Sequence, residues 1–184
     1  MIKIRQVDPA HKADILLPNE PFPLFGKMIP SYVDETWRYR FTYLEGAEVG
    51  EMCFPDEDYC YEAMQGHSVF LGAYASAYDG ANGAEHCVGL AILQDDLFRY
   101  MYLYDLKVVK KYRRQGVASA LMEQAAGICR ERGYRGLYTR AQDNNLPACR
   151  FYLKAGFHIG GLDTNVYQGT KQEGKADILF YRDC

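Results

Sequence analysis

What this chain lacks narrows its chemistry before any motif is read. Its six cysteines (Cys53, Cys60, Cys87, Cys129, Cys149 and Cys184) contain no C-x-x-C pair. Its four histidines (His11, His67, His86 and His158) show no zinc-ligand spacing with those thiols. No metal site is expected, and the cysteines are expected to stay reduced. Charge of one sign is also scarce: a net charge of -3 implies no broad preference for nucleic acid or a membrane surface. No apolar run approaches the ~20 residues of a membrane span, and the opening MIKIRQVDPA lacks the apolar centre of a signal peptide. A cytoplasmic protein with neither membrane nor nucleic-acid partners is therefore expected. The phosphate motifs G-x-x-x-x-G-K-[ST] and G-x-G-x-x-G after the first strand are missing too, which argues against P-loop and dinucleotide folds.

What is present fits one domain over residues 1–184, with ordinary globular proportions of 48% apolar and 24% charged residues. Strands are expected at residues 1–7, 36–45, 68–76, 87–94, 100–110 and 134–141, and around GGLDTNVYQG and ADILFYRDC. A short helical run is expected near residues 9–17, and the proline-rich residues 19–32 are expected to be extended or looped. QDDLFR reads as a hairpin, and AYDGANGAEH as a glycine-rich turn. Val117, Leu121, Ala125 and Ile128 repeat at 4, 4, 3 spacing, one face of a helix closed by Gly133. A second helix spans residues 145–155, with Pro147 in its first turn. The fold class is thus α/β (α+β): a mixed, mainly antiparallel central sheet flanked by helices.

The stretch KKYRRQGVASALMEQA places two arginines and a glycine at the entrance of the first long helix. A helix N-terminus offers unpaired N–H donors and about half a positive charge. Gly116 admits close approach to the backbone, and small Ala118 and Ser119 keep the first turn clear. Arg113 and Arg114 add charged donors. A pyrophosphate held without metal is the best candidate, and coenzyme A is the common ligand that carries one.

A second motif follows one strand later. NLPACRFYLKAGF fits N-x-x-A-x-x-F-Y-x-x-x-G-F. With DLKVVKKYRRQGVA it resembles the GNAT superfamily of acyl-CoA-dependent N-acetyltransferases, the match covering residues 102–157. Three further segments, FGKMIPSYVDETWRYRF, LYTRAQDNNLPACRFYLKAGFHIGGLDTNVYQG and ADILFYRDC, resemble the streptothricin acetyltransferases within that superfamily.

The resemblance implies an acetyl-CoA-binding core at about residues 100–160. Backbone groups of Leu106, Lys107 and Val108 would bond the pantetheine arm. Arg113, Arg114, Gln115, Gly116, Val117, Ala118 and Ser119 would hold the pyrophosphate. Asn145 would bond the cofactor or cap its helix, with Asn144 competing for the cap. The acceptor is expected to be a small-molecule amine near Tyr104, Asp105, Asp163 and Thr164, on a monomer or homodimer. The family usually carries Glu-Asp where this chain has Tyr104-Asp105. Asp105 is the candidate base, or else a strand residue paired with a lysine or arginine. Tyr152 is the candidate acid for the departing thiolate, or else an aromatic packed beneath the cofactor. A covalent route through Cys149 lacks an activating partner in the sequence. The acidic residues 51–62 are expected to be a solvated face. Another amine acceptor, or an acyl-CoA-binding module without activity, are the alternative functions.

Overall fold

The computed structural model describes residues 2–76, 85–96 and 98–184. In chain order they form β1 (Ile2–Gln6), a 3-10 turn (Pro9–Leu16), β2 (Phe22–Leu24), β3 (Gly26–Val33), β4 (Thr36–Tyr43), β5 (Gly50–Met52), α1 (Tyr61–Met64), β6 (Ser68–Ser76), β7 (Glu85–Gln94), β8 (Tyr100–Val108), α2 (Val117–Glu131), β9 (Gly136–Gln142), α3 (Leu146–Lys154), β10 (His158–Asp163) and β11 (Asp177–Asp183). β1 and β6 to β11 make up the seven strands of the main sheet. The class is the expected one, a mixed sheet flanked by helices. No helix among the described residues is long and apolar enough to cross a membrane. The glycine-rich turn expected at residues 77–86 lies largely outside the described residues. Contacts divide the chain into two compact units, residues 1–20 with 54–137 and 184, and residues 21–53 with 138–183.

In the first unit, the uncharged run SVFLGAYAS is buried along all of β6 but its last residue. A strand so apolar needs partners at both edges, and β6 pairs antiparallel with β1 and β7. β7 pairs in turn with β8. The buried face of α2, formed by Val117, Leu121, Met122, Ala125, Ala126, Ile128 and Cys129, packs on these strands. Leu121 is fully buried, so Leu121→Ala would cost about 2–5 kcal/mol. Gly89 seats the start of α2, since a Cβ there would stand 3.1 Å from Val117 Cγ1 and 3.2 Å from the Lys107 carbonyl oxygen. The apolar residues Val7, Ile15, Phe70, Leu90 and Ile92 form a cluster against which Leu17, Tyr59, Tyr61 and Met64 pack.

One irregularity decides where side chains of β8 point. Leu93 faces Leu103, and Ile92 faces Asp105, so Tyr104 is an extra residue opposite the Ile92–Leu93 step. Successive residues of β7 point to opposite faces, and direct partners share a face. Leu103 and Asp105 therefore point to opposite faces, where an unbroken strand would give them the same one. The bulge re-aims Asp105 toward the face of Ile92 and Tyr59.

In the second unit, the proline-rich segment is extended, as expected, and pairs as β2 with β5 and β3 with β4. Each is a two-stranded sheet, so Pro23 and Pro30 sit where a ladder tolerates a missing N–H. β10 and β11 run antiparallel. α3 begins where expected: the Asn145 side-chain oxygen accepts the Ala148 N–H at 3.2 Å. Leu146, Cys149 and Tyr152 are its buried face.

Candidate active site

The start of α2 is an open set of donors. Its first backbone bond runs from Ala120 N to Gly116 O at 2.9 Å. The N–H groups of Val117, Ala118 and Ser119 therefore have no intrahelical acceptor. Gly116 is the N-cap, at φ +85°, and no side chain caps the helix. An added Cβ at Gly116 would meet nothing within 4 Å, so the space before the helix is clear. Arg114, with φ 64°, is also left-handed, and its side chain is exposed. Gln115 Nε2 donates to the Lys111 carbonyl at 2.7 Å.

Arg113 is engaged within the chain. Its Nε donates to the Val108 carbonyl at 2.8 Å and its Nη2 to the Glu20 carbonyl at 3.3 Å. The Glu20 carboxylate also accepts the Lys110 N–H. Arg113 thus shapes the loop, and Arg114 is the arginine that stands clear. Leu106, Lys107 and Val108 pair with Ala91, Leu90 and Gly89 of β7.

Around Asp105 the structure gathers groups from distant parts of the sequence. Its side chain is 13% exposed and lies 3.2 Å from Lys107 Nζ. The Tyr59 hydroxyl donates to the same oxygen, Oδ2, at 3.2 Å. Among the described residues Oδ1 has no hydrogen-bond partner. Burial pushes the Asp105 carboxyl above the usual carboxylate range, and Lys107 pulls it back. Burial, with the charges of Asp105 and Glu57, likewise pushes the Tyr59 phenol up, so it stays a donor. Lys107 also donates to Glu57 and, at 3.3 Å, to the Leu17 carbonyl. Exposed Tyr104 lies with its ring 5.8 Å from that of Tyr59 and 5.6 Å from that of Tyr102.

Glu57 and Tyr59 were not among the site residues expected from the sequence; Glu51, Asp56, Asp58 and Glu62 are the exposed face expected of the acidic stretch, whereas Glu57 is half-buried. Glu57 holds Lys107, Asp56 accepts the Asn19 N–H at 2.5 Å, and Glu62 pairs with Lys12 at 2.5 Å. The sequence signal was the acid-rich composition; its partners lie 37 to 50 residues away.

In the second unit, Tyr152 is 7% exposed and packs edge-on against Phe157, with ring centroids 5.4 Å apart, and against Phe180 at 5.5 Å. Asn145 takes the cap for which Asn144 competed. The Asn144 Oδ1 and Gln142 Oε1 atoms are buried without a hydrogen bond among the described residues. Asp163 Oδ1 accepts the N–H groups of Asn165 and Val166 at 2.9 and 3.1 Å, which closes a turn, and Thr164 beside it is exposed. Burial raises the Cys149 thiol to about 12, leaving almost no thiolate at neutral pH. A hollow of 410 Å³ beside Trp37, Tyr39, Phe157 and His158 contains none of the predicted site residues.

Open N–H donors at an uncapped 15-residue helix suit a diphosphate, the group an acyl-CoA carries.

Comparison with known proteins agrees. Residues 31–157 match the model of the acetyltransferase (GNAT) family. Streptothricin acetyltransferase A of Bacillus subtilis (strain 168) is 32% identical over 168 residues, 91% of this chain and 92% of that protein. A Bacillus anthracis str. Ames protein assigned as a streptothricin acetyltransferase, solved in complex with acetyl coenzyme A, superposes with a TM-score of 0.84 at 24% identity over the whole of both chains. Nourseothricin acetyltransferase superposes with a TM-score of 0.77 at 24% identity, covering 100% of this chain and 98% of that one.

Proposed function

The chain belongs to the acetyltransferase (GNAT) family, and on that premise we propose that it acetylates a primary amine of a small cationic acceptor, streptothricin first among them. It is an N-acetyltransferase whose acyl donor is acetyl-CoA. The donor supplies an acetyl group already activated as a thioester. Support for streptothricin comes from the relative that is 32% identical across 91% of this chain. In this proposal residues 1–184 act as one catalytic domain in the cytoplasm, as a monomer or homodimer.

The observation that carries the chemistry is Asp105, a largely buried carboxylate with one oxygen uncommitted. A lysine-like amine with a pKa of about 10.4 is neutral in roughly one molecule per thousand near pH 7.4. A base must therefore take its proton before it can attack. Asp105 takes that proton at Oδ1, directly or through water. Because burial raises its pKa, it is a stronger base than an exposed aspartate. Tyr104, where the family has glutamate, walls the acceptor with Tyr59 and Tyr102, and aromatic faces attract an alkylammonium.

The remaining groups hold the donor or return the proton. The helix start from Gly116 to Ser119, with Arg114 and Gln115, binds diphosphate, and Arg113 orders their loop. Backbone groups of Leu106, Lys107 and Val108 bind the pantetheine arm, and Asn145 caps its helix. Tyr152 protonates the departing thiolate. Asp163 and Thr164 contribute to acceptor binding in this proposal.

The test is thiol release from acetyl-CoA with streptothricin and a panel of polyamines, amino-acid derivatives and peptides, with product masses read. Acetylated streptothricin is the expected product, and Tyr152→Phe lowers kcat by about tenfold or more. Turnover with other amines alone reassigns the acceptor. Binding of acetyl-CoA without turnover of any amine means a module that has lost its activity.

A further inference from the structure

Lys107 is the least exposed charged group around Asp105, and its side chain has no part in the acetyl transfer described above. Only 8% of that side chain is exposed. An ammonium has three donors, and Lys107 Nζ meets three acceptors: Asp105 Oδ2, Glu57 and the Leu17 carbonyl. Burying such a charge is tolerable only when it is fully paired. Glu57 is itself held, because Asn19 Nδ2 lies 3.1 Å from each of its carboxylate oxygens. The chain of contacts Asn19–Glu57–Lys107–Asp105 thus fixes one oxygen of Asp105 and leaves the other for the acceptor.

Resting on the assignment of Asp105 as the base, we propose that Lys107, clamped by Glu57 and assisted by Tyr59, is the positioning residue that orients Asp105 and sets the pH at which it works. Two carboxylates share one resident ammonium, so the cluster carries one net negative charge. That balance favours a cationic acceptor over a neutral one.

The groups facing Asp105 act with opposite signs. On its own strand, Lys107 favours the anion, and Tyr104 stands beside it. From the segment before α1, the Tyr59 hydroxyl favours the anion and Glu57 opposes it. The 3-10 turn region contributes only the Leu17 carbonyl, to Lys107. From β7 the partner is apolar Ile92.

The experiment is a carbon-13 NMR titration of the Asp105 side-chain carboxyl in the full-length protein without ligand, for wild type, Lys107→Met, Tyr59→Phe and Glu57→Gln. The midpoint moves up by about one to three pH units in Lys107→Met. It also moves up in Tyr59→Phe, and it moves down in Glu57→Gln. The low-pH limb of kcat/KM with streptothricin follows in the same directions. A role confined to packing moves the midpoints little and with no alternation of sign. If Lys107→Met does not fold, the opposed shifts of Tyr59→Phe and Glu57→Gln still decide. Unmoved midpoints, or shifts of one sign in these two variants, overturn the clamp. Full turnover by Asp105→Asn sinks the base assignment instead, and the titration separates the two failures.

Discussion

Glu20 grips Arg113 by two contacts: its carbonyl accepts from the guanidinium Nη2 at 3.3 Å, and its carboxylate lies 3.5 Å from the same nitrogen. The carboxylate also takes the Lys110 N–H. A residue 90 positions earlier in the chain therefore ties down the loop that opens onto α2. The ion pair is about a third exposed on each side, so its own strength is modest. The larger effect is the ordered loop. Glu20→Ala should weaken acetyl-CoA binding about tenfold, roughly 1.4 kcal/mol, with little change in the acceptor KM. Calorimetric titration with acetyl-CoA checks this; unchanged affinity would remove Glu20 from the site.

Gly116 separates folding from binding. Its φ of +85° costs a non-glycine residue about 1–2 kcal/mol, yet an added Cβ meets no neighbour within 4 Å. Gly116→Ala should therefore fold with only that loss. Gly116→Asp places a negative charge at the helix start, which recovers about 0.3–1 kcal/mol but repels a diphosphate. The aspartate variant should melt no lower than the alanine variant and bind acetyl-CoA more weakly. Equal binding by both would place the anion elsewhere. Paired melting curves and titrations distinguish the outcomes.

Asp177 gives a pH signature in the second unit. It is buried, accepts the Tyr167 hydroxyl at 2.7 Å, and its carboxyl is raised above the usual range chiefly by burial. A group whose folded pKa exceeds its unfolded value stabilises the fold most at low pH, where it is protonated in both states. That contribution is lost as pH rises through the folded value. Asp177→Asn keeps an acceptor for Tyr167 and removes the titration. The melting temperature of wild type relative to this variant should therefore fall from pH 4 to pH 8. A difference that is constant or that rises would mean the carboxyl is not raised.

The two main helices were largely legible in the sequence. The 4, 4, 3 apolar spacing places α2, and the Asn145 cap with Pro147 places the start of α3. The β3–β4 hairpin was hidden because its turn residues, Asp34 and Glu35, adopt φ of 49° and 59° without the Asn-Gly or Asp-Gly signal that normally marks such a turn. Asp105 was legible as a candidate base, but the direction of its side chain was not. Alternation along the neighbours of Tyr104 cannot reveal a bulge, whose extra residue is set by pairing with β7. Glu57 was hidden for a related reason. An acid-rich stretch has the same composition whether its members are solvated or tied to a lysine 50 residues away.

The most direct measurement is the rate of thiol release from acetyl-CoA in the presence of streptothricin, for wild type beside Asp105→Asn. Wild type should release thiol faster with the acceptor than without it and yield acetylated product. The variant, still folded and still binding acetyl-CoA, should be slower by about a hundredfold or more. Equal rates in the two proteins would contradict a base at Asp105, and no release with any amine would contradict acetyl transfer itself.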